Sequence, residues 1–509
     1  MKWEMKTPMR PRRGRVSSWL EDRLQIEEIW RVLFLRKVPL GVSWFYTLGF
    51  ASLALLATQA LTGIVLAMYY APTPDHAYDS VHYVMTEVPF GQVIRGIHHW
   101  GASAMVVVVV LHLLTVFVAG AYKYPREATW VVGVFLLLVT LGFGFTGYLL
   151  PWDEKAYWAT TVGTNMAGTV PVIGGFLVRV IRGGAELGAL TLTRFYAAHV
   201  LLLPATIGAF VAIHLFAVIR QGVSVPPGLW DGEATDQMRP AVSSGLQADG
   251  VTFSRAEEYR QRYERFKMRG RPFFPDIIFE DAVVGAVVTL IVVGMAVFVG
   301  APLESEADPT NTAYVPRPEW YFMFLFEMLK YFPGALEWVG VVVVPGLFVL
   351  ALLALPFVNR GERRSPRYQP LLMGVASVVV LALLALTVMA YQSTPPAAQV
   401  SGETASSAKP STTALTGREA AGSASSVASA GDVTAGGRVF SAKCGACHPG
   451  GNAGAGPALR GQPFATEYAE DSSVKKVIRE GKGGMPGFPP SGLSDAELDD
   501  LIAYLRSLK

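Results

Sequence analysis

Four histidines within apolar stretches form two pairs, and their spacing indicates redox chemistry. His98 and His112 stand at positions i and i+14, and His199 and His214 stand at positions i and i+15. On an α-helix either separation is about 21 Å along the axis, with the two side chains on roughly the same face. One helix therefore cannot supply both ligands of a single iron. Two such helices side by side can hold two haem irons at two depths of a membrane, each bound by one histidine from each helix.

A buried histidine can also be a polar group that a neighbouring helix satisfies, and one intramembrane histidine alone leaves both interpretations open. Ionisable groups at membrane depth are costly and usually functional, so four at matched spacing favour haem ligation. Glycines repeat the i, i+14 spacing in two further apolar segments. Missing side chains there let flat macrocycles approach the helix backbone. These glycines are Gly49, Gly63, Gly133 and Gly147.

The composition predicts an all-α membrane protein. The 509 residues are 51% hydrophobic and 16% charged, and the mean hydropathy is +0.35, which is too apolar for a soluble chain of this length. The net charge of +3 does not indicate a nucleic-acid partner. We predict a transmembrane helical bundle of seven spans. The apolar runs fall near 43–70, 95–120, 128–150, 196–219, 281–301, 339–358 and 370–391.

The distribution of basic residues between the loops predicts the orientation of the bundle in the cell membrane. The loop after the first span has no lysine or arginine, and the loop after the fifth is acidic. The positive-inside rule then puts the N-terminus in the cytoplasm and the C-terminus outside. In that orientation His98 and His199 are the outer pair, and His112 and His214 are the inner pair. The basic clusters lie within 10–15, 123–126, 255–271 and 360–367.

A change of composition after residue 392 indicates a tether. Residues 393–431 are rich in Ser, Ala, Thr and Gly and lack apolar periodicity. Such a segment reads as a disordered linker, whose ends are typically about 35 Å apart. We therefore expect residues 432–509 to form a separate small domain outside the membrane. It should be α-helical, with a capping box formed by Ser494 and Glu497 before its last helix.

This domain carries a haem-attachment motif. Cys444, Cys447 and His448 have the C-x-x-C-H pattern, in which two thiols bond the porphyrin and the histidine becomes the proximal iron ligand. A redox dithiol or half of a zinc site would use the same residues. However, these are the only two cysteines in the chain, and zinc would need a second ligand pair. Met485 is the only methionine after the motif and is the predicted sixth ligand.

Together these motifs resemble cytochrome b of the cytochrome bc complexes, and more closely the split form found in b6f-type complexes. Stretches such as VMTEVPFGQVIRGIHHW and FTGYLLPWDEKAYW carry the resemblance. Residues 43–222 look like the four-helix di-haem subunit, and residues 276–392 look like its three-helix partner. The remaining predicted parts are a basic N-terminal segment at 1–42 and a cytoplasmic connecting loop at 223–275. Residues 432–509 resemble a small class I cytochrome c.

The resemblance implies a quinol-oxidation site in the three-helix part. The family's signature is represented here by Pro318, Glu319, Trp320 and Tyr321. A carboxylate between proline and aromatic side chains at the outer end of an apolar segment can accept a quinol proton and release it outside. The alternative is that Glu319 is an ordinary solvated loop acid. Tyr148 is a candidate neighbour of this site.

Other charged residues have two interpretations each. Arg95, at the outer end of the second span, suits a haem propionate, although an arginine that only extends to the membrane surface fits the same place. At the cytoplasmic level four residues are candidates for an inner quinone site, and each is equally an ordinary helix-end charge. They are Arg220, Asp276, Glu280 and Asp281.

The implied activity is that of a quinol–cytochrome c reductase. Quinol oxidation would be bifurcated and coupled to proton translocation, with two non-covalent b haems and one covalent c haem through which electrons leave. Because both cysteines belong to the haem c motif, a Rieske-type iron–sulfur protein must be a separate partner. The quinone pool, an oxidase or soluble cytochrome as acceptor, and a homodimeric core complete the expected assembly. The alternatives are a di-haem quinol dehydrogenase without bifurcation and a passive membrane anchor for a cytochrome c.

One departure from the family is informative. In b6f-type subunits a cysteine on the first helix holds an additional haem covalently. Thr47 occupies that place here, in the stretch FYTLG. A hydroxyl cannot form the thioether bond, so we expect no covalent haem outside the C-terminal domain.

Overall fold

The structure is a computed structural model that describes residues 15–232, 254–311, 314, 317–393, 432–444, 459, 470–480, 488 and 493–508. The described residues are mostly helical, and they include one antiparallel strand pair, Lys37–Val38 against Arg271–Pro272. The chain divides into two compact units, Met1–Ser406 and Ser407–Lys509. The predicted all-α class is confirmed.

Within the described part of the larger unit, seven helices are long and apolar enough to cross a membrane, which agrees with the predicted number of spans. The apolar runs located these helices, but several begin earlier than hydropathy indicated, because helical turns continue through polar residues at the ends. The fourth span, for example, begins at Ala189 and includes Arg194. The spans are Trp44–Ala67, Gly91–Val118, Glu127–Tyr148, Ala189–Gln221, Phe273–Phe298, Val339–Val358 and Pro370–Ser393.

Shorter helices fill the loops at both ends of the bundle. Pro74–Thr86 follows the first span, Glu154–Gly168 and Gly174–Arg182 follow the third, and Trp320–Leu329 precedes the sixth. Proline at the first position favours the start of the helix after the first span. The other short helices of this unit are Arg15–Leu24, Ile26–Phe34, Pro227–Gly232 and Arg255–Met268.

The loops gather at opposite ends of the bundle. At one end the Lys123 ammonium donates to the carbonyl oxygens of Gly361 (3.1 Å) and Arg363 (2.7 Å), which joins the loops after the second and sixth spans. At the other end the Tyr78 hydroxyl donates to the carbonyl of Glu304 (2.9 Å), which joins the loops after the first and fifth spans. The basic loops therefore lie together, as an alternating topology requires.

The smaller unit contains three described helices, Val433–Lys443, Asp471–Glu480 and Asp495–Ser507. The first and last cross closely, since a Cβ on Gly436 would overlap the carbonyl oxygen of Asp500. The predicted capping box before the last helix is confirmed: the N–H of Ser494 donates to Glu497 Oε2 (2.8 Å), and the N–H of Glu497 donates to Ser494 Oγ (3.3 Å). The buried core includes Phe440, Val474, Ile478, Leu493, Leu498, Leu501, Ile502 and Leu505.

Candidate haem and quinol sites

The second and fourth spans bring the predicted outer pair of histidines face to face. The ring centroids of His98 and His199 are 6.3 Å apart, with an angle of 70° between the ring planes. Two imidazole–metal bonds of about 2 Å each, added to the distance from each ring centre to its ligating nitrogen, come to about this separation. The two side chains therefore fit opposite sides of one iron.

The predicted inner pair lies further along the same two spans. His112 and His214 are close enough for the charge of one to act on the other. The Nδ1 atom of His214 is buried and has no hydrogen-bond partner among the described residues. Each span thus contributes one histidine to each of two levels, which is the arrangement that the spacing predicted.

A local widening of the fourth span explains why the spacing of its two histidines is one position longer than the spacing in the second span. His199 lies in a π-helical turn, Ala198–Leu202, that contains one residue more than an α-turn. Pro204, two positions after this turn, cannot donate a hydrogen bond back to the preceding turn. The extra residue is absorbed there, so both histidines still face the second span.

Each of the four predicted glycines faces a different histidine. They lie on the first and third spans, which flank the two histidine-bearing helices. The sequence suggested room for a macrocycle, and the structure adds that the nearest side-chain atom is in each case the imidazole Cε1. A Cβ at Gly49 would lie 3.2 Å from that atom of His112, at Gly63 3.1 Å from His98, at Gly133 3.5 Å from His214, and at Gly147 2.5 Å from His199.

Two threonines that the sequence analysis did not single out contact the outer histidines. Thr62 Oγ1 lies 2.9 Å from Nδ1 of His98, and Thr146 Oγ1 lies 3.1 Å from Nδ1 of His199. Their signal in the sequence is that each directly precedes one of the predicted glycines, Gly63 or Gly147. The Nε2 atoms remain as the ligating atoms for an iron.

Glu319 is paired with a lysine that the sequence analysis also missed. Lys155 Nζ lies 3.2 Å from Glu319 Oε1, and the side chains are 25% and 15% exposed, respectively. The same ammonium lies 5.5 Å from the centre of the Tyr148 ring, and the Tyr148 hydroxyl donates to the carbonyl of Arg317 (3.1 Å). Glu319 and Tyr148 are therefore brought together, with Lys155 between them.

The rest of the signature places aromatic side chains against the second and third spans. Pro318 and Glu319 precede the helical turn that begins at Trp320. The Trp320 indole N–H donates to Ser103 Oγ (3.4 Å) on the second span. Tyr321 is buried, and its hydroxyl oxygen would lie 2.8 Å from a Cβ on Gly144 of the third span.

Arg95 and Asp153 tie the loops together beside this site. Arg95 donates to the backbone carbonyls of Ala301 (3.0 Å) and Pro302 (2.7 Å), so in this structure its guanidinium binds the loop after the fifth span. The Asp153 carboxylate accepts the N–H groups of Ala156 (2.8 Å) and Glu304 (3.1 Å). Burial raises the pKa of Asp153.

The candidates for an inner quinone site are only partly brought together. Arg271 pairs with Glu280 (2.7 Å) and Asp276 (3.7 Å). Asp281 lies near Arg36, whose Nε and Nη1 atoms are buried without a hydrogen-bond partner among the described residues and whose guanidinium lies 4.4 Å from the centre of the Phe273 ring. The remaining candidate, Arg220, is exposed on the last turn of the fourth span.

The haem c motif is described only in part. Cys444 caps the helix Val433–Lys443 and is partly buried. Cys447, His448 and Met485 lie outside the described residues. Their roles as thioether and iron ligands stay predictions.

Comparison with known proteins now identifies the membrane unit. The family description Cytochrome b/b6/petB matches residues 34–222. Cytochrome b6 of Prochlorococcus marinus (strain MIT 9211) is 43% identical over 211 residues, which are 97% of that protein and 42% of this chain. The chain belongs to the cytochrome b family. Cytochrome b6 of Acaryochloris marina (strain MBIC 11017) is 42% identical over 213 residues, 99% of that protein.

The remainder of this cytochrome b chain also has matches. Residues 306–408 match Cytochrome b(C-terminal)/b6/petD, and residues 431–505 match Cytochrome C oxidase, cbb3-type, subunit III. A solved structure titled Hyperthermophilic respiratory Complex III has a TM-score of 0.60 and 29% identity, and covers 74% of this chain and 91% of that one. The predicted resemblance is confirmed. Membership of the cytochrome b family implies b haems in the membrane unit, and the match of residues 431–505 implies covalent haem c in the C-terminal domain.

Proposed function

We propose that this cytochrome b is the quinol-oxidising subunit of a cytochrome bc complex. In it, quinol oxidation is bifurcated and coupled to proton translocation, and electrons leave through the tethered C-terminal domain. The observation that carries the proposal is the position of Glu319 relative to the outer histidines. The adjacent Trp320 donates its indole N–H to Ser103 Oγ (3.4 Å) on the span that carries His98, and Glu319 is near enough to His99, the neighbour of His98, for an electrostatic interaction. A proton acceptor and an electron acceptor site thus lie side by side.

The residues fit the cofactors that the family implies. His98 with His199 and His112 with His214 would hold one b haem each, and Cys444, Cys447, His448 and Met485 would hold haem c. When bound, these groups supply one-electron transfer between the two levels of the membrane and to the outer face. The protein contributes the placement of the ligands and, at Gly49, Gly63, Gly133 and Gly147, the close approach of a neighbouring helix backbone to each imidazole.

The Glu319–Lys155 pair supports a role for Glu319 as proton acceptor. An ionised carboxylate offers only acceptor oxygens, and its counter-ion is the Lys155 ammonium, 3.2 Å away. Both side chains retain some exposure, so a proton taken up by Glu319 has a route to the outer solution. Lys155 is the counter-ion in this scheme, and its ammonium also lies over the ring of Tyr148.

Location and partners follow from the same scheme. The basic loops that meet at one end of the bundle support an N-terminus in the cytoplasm and a C-terminal domain outside the cell membrane. The proposed partners are a separate Rieske-type protein, the membrane quinone pool, and an oxidase or soluble cytochrome that takes the electrons. The core is proposed to be homodimeric. Arg95 is kept as a proposed contact of a haem propionate.

The test is a pair of variants in the same segment. Glu319→Gln should slow quinol oxidation by about 100-fold or more, because a general base is removed and no haem ligand is. Glu327→Gln is the matched control, since Glu327 is buried on the helix that follows the signature and forms an ion pair with Lys330 (2.6 Å). Rates are measured by stopped-flow with haem content determined in parallel. Equal rates in Glu319→Gln and the wild type would refute the proposed role.

A further inference from the structure

The two outer histidines are held in the same way by two hydroxyl groups. Thr62 Oγ1 donates its hydrogen to the carbonyl of Thr58 (2.7 Å), and Thr146 Oγ1 donates to the carbonyl of Gly142 (2.8 Å). A hydroxyl has a single hydrogen, so each oxygen can meet the nearby imidazole only as an acceptor. Nδ1 of His98 and of His199 therefore carries the proton and donates it, which leaves Nε2 with a lone pair for a metal.

Among the described residues, no threonine hydroxyl is found beside the inner histidines in the way that Thr62 and Thr146 lie beside the outer ones. Leu48 and Val132 precede Gly49 and Gly133, at the places where Thr62 and Thr146 precede their glycines, and neither has a hydroxyl group. The Nδ1 atom of His214 is buried without a hydrogen-bond partner among the described residues. A backbone carbonyl also acts on three of the rings, that of Gln59 on His98, Phe143 on His199 and Thr129 on His214, so this contact is common to both levels. What differs between the two levels is the threonine hydroxyl beside each outer imidazole.

A hydrogen bond from the distal N–H makes an imidazole a stronger electron donor to the metal that it binds. A stronger donor stabilises the oxidised iron more than the reduced iron, so the reduction potential falls. We propose that Thr62 and Thr146 are positioning residues that set the outer b haem to a lower reduction potential than the inner one. This inference rests on the proposed function, in which an electron moves inward across the membrane, and it supplies a structural cause for that direction.

The test is equilibrium potentiometry of the b haems in the intact complex. Thr62→Val and Thr146→Val keep the shape of the side chain and remove the acceptor oxygen. Each should raise the midpoint potential of the outer haem and leave that of the inner haem in place. A tenfold shift in the reduction equilibrium would be about 59 mV for a one-electron couple. Thr62→Ser, which restores a hydroxyl, should return the potential toward the wild-type value.

The reciprocal variant is Val132→Thr, which adds a hydroxyl beside the ring of His214. It should lower the reduction potential of the inner haem. This variant tests the effect of the hydroxyl on the potential even if a valine variant does not retain its haem. Potentials that stay unchanged, or that move in the opposite direction, in haem-replete variants would overturn the inference. The measurement needs no turnover, so it is independent of the quinol-oxidation rates that test the proposed function.

Discussion

At the scale of single residues, spacing located the histidines and glycines but could not predict how closely each glycine approaches its histidine. The i, i+14 repeats predicted which positions face each other, because helical geometry fixes the level and face of each residue. The distance from each glycine to its histidine depends on how closely two helices pack, and periodicity does not contain that quantity. Lys155, Thr62 and Thr146 were missed for a related reason, since each matters through a partner on a different helix, far away in the sequence.

The packing distances predict unequal effects of adding one methyl group. Gly147→Ala would place Cβ 2.5 Å from Cε1 of His199, which no real contact tolerates, whereas Gly133→Ala would place it 3.5 Å from His214, an ordinary contact. We expect Gly147→Ala to lose most of the outer b haem and Gly133→Ala to keep the inner one. Haem-to-protein ratios and reduced-minus-oxidised spectra of the purified variants measure this. Equal haem loss in both variants would contradict it.

At the scale of elements, hydropathy predicted the seven spans because a membrane helix must be apolar over about 20 residues. It did not predict the short helices between the spans or the π-helical turn around His199, since these depend on caps, prolines and packing. Glu154–Gly168 is an example: its start is fixed by the Asp153 side chain, which accepts from Ala156 and also from Glu304 in a distant loop. One carboxylate therefore joins two loops beside the proposed quinol site.

Removal of the Asp153 carboxylate should destabilise the two loops that it joins, those after the third and fifth spans. Asp153→Ala loses an N-cap and leaves two backbone N–H groups without their acceptor, which costs about 1–3 kcal/mol. Asp153→Asn keeps one acceptor oxygen and should cost less. Thermal unfolding midpoints of the detergent-solubilised variants give the comparison. An alanine variant as stable as the wild type would show that the two contacts contribute nothing.

The pH dependence of this effect has a defined sign. Burial raises the pKa of Asp153 in the folded state, so the folded protein binds this proton more tightly than the unfolded chain does. The group's contribution to stability is then fully present below its unfolded pKa of about 3.9 and is lost as the pH rises through the folded value. Relative to Asp153→Asn, the wild type should therefore lose stability as the pH rises through this window. A difference in midpoint that is independent of pH would contradict the shift.

At the scale of the whole molecule, the sequence predicted a membrane unit and a separate C-terminal domain, and two compact units are found. The prediction came from the change to a Ser/Ala-rich composition after residue 392. The cysteine count also assigns the covalent haem, since both cysteines are in the smaller unit. In the larger unit Thr47 is buried, and its hydroxyl donates to the carbonyl of Trp44 (2.6 Å).

Haem-stained denaturing gels test this division. A chain truncated near residue 393 should carry no covalent haem, because Thr47 cannot form a thioether and no cysteine remains. Its b haems should still be present in native spectra, since their four histidine ligands are retained. The full-length chain, which keeps the C-x-x-C-H motif, should give a stained band. A stained band from the truncated chain would prove the assignment wrong.

Bifurcation itself is tested most directly by the electron count in a single turnover of the intact complex with the inner quinone site blocked. After rapid mixing with quinol and an oxidant for the outer branch, b-haem reduction and electron delivery to the c-type branch are followed together at their own wavelengths. We expect one electron in the b haems for each electron delivered to the c-type branch, and no b-haem reduction when the iron–sulfur partner is absent. Delivery of both quinol electrons to the c-type branch, with the b haems left oxidised, would contradict bifurcation.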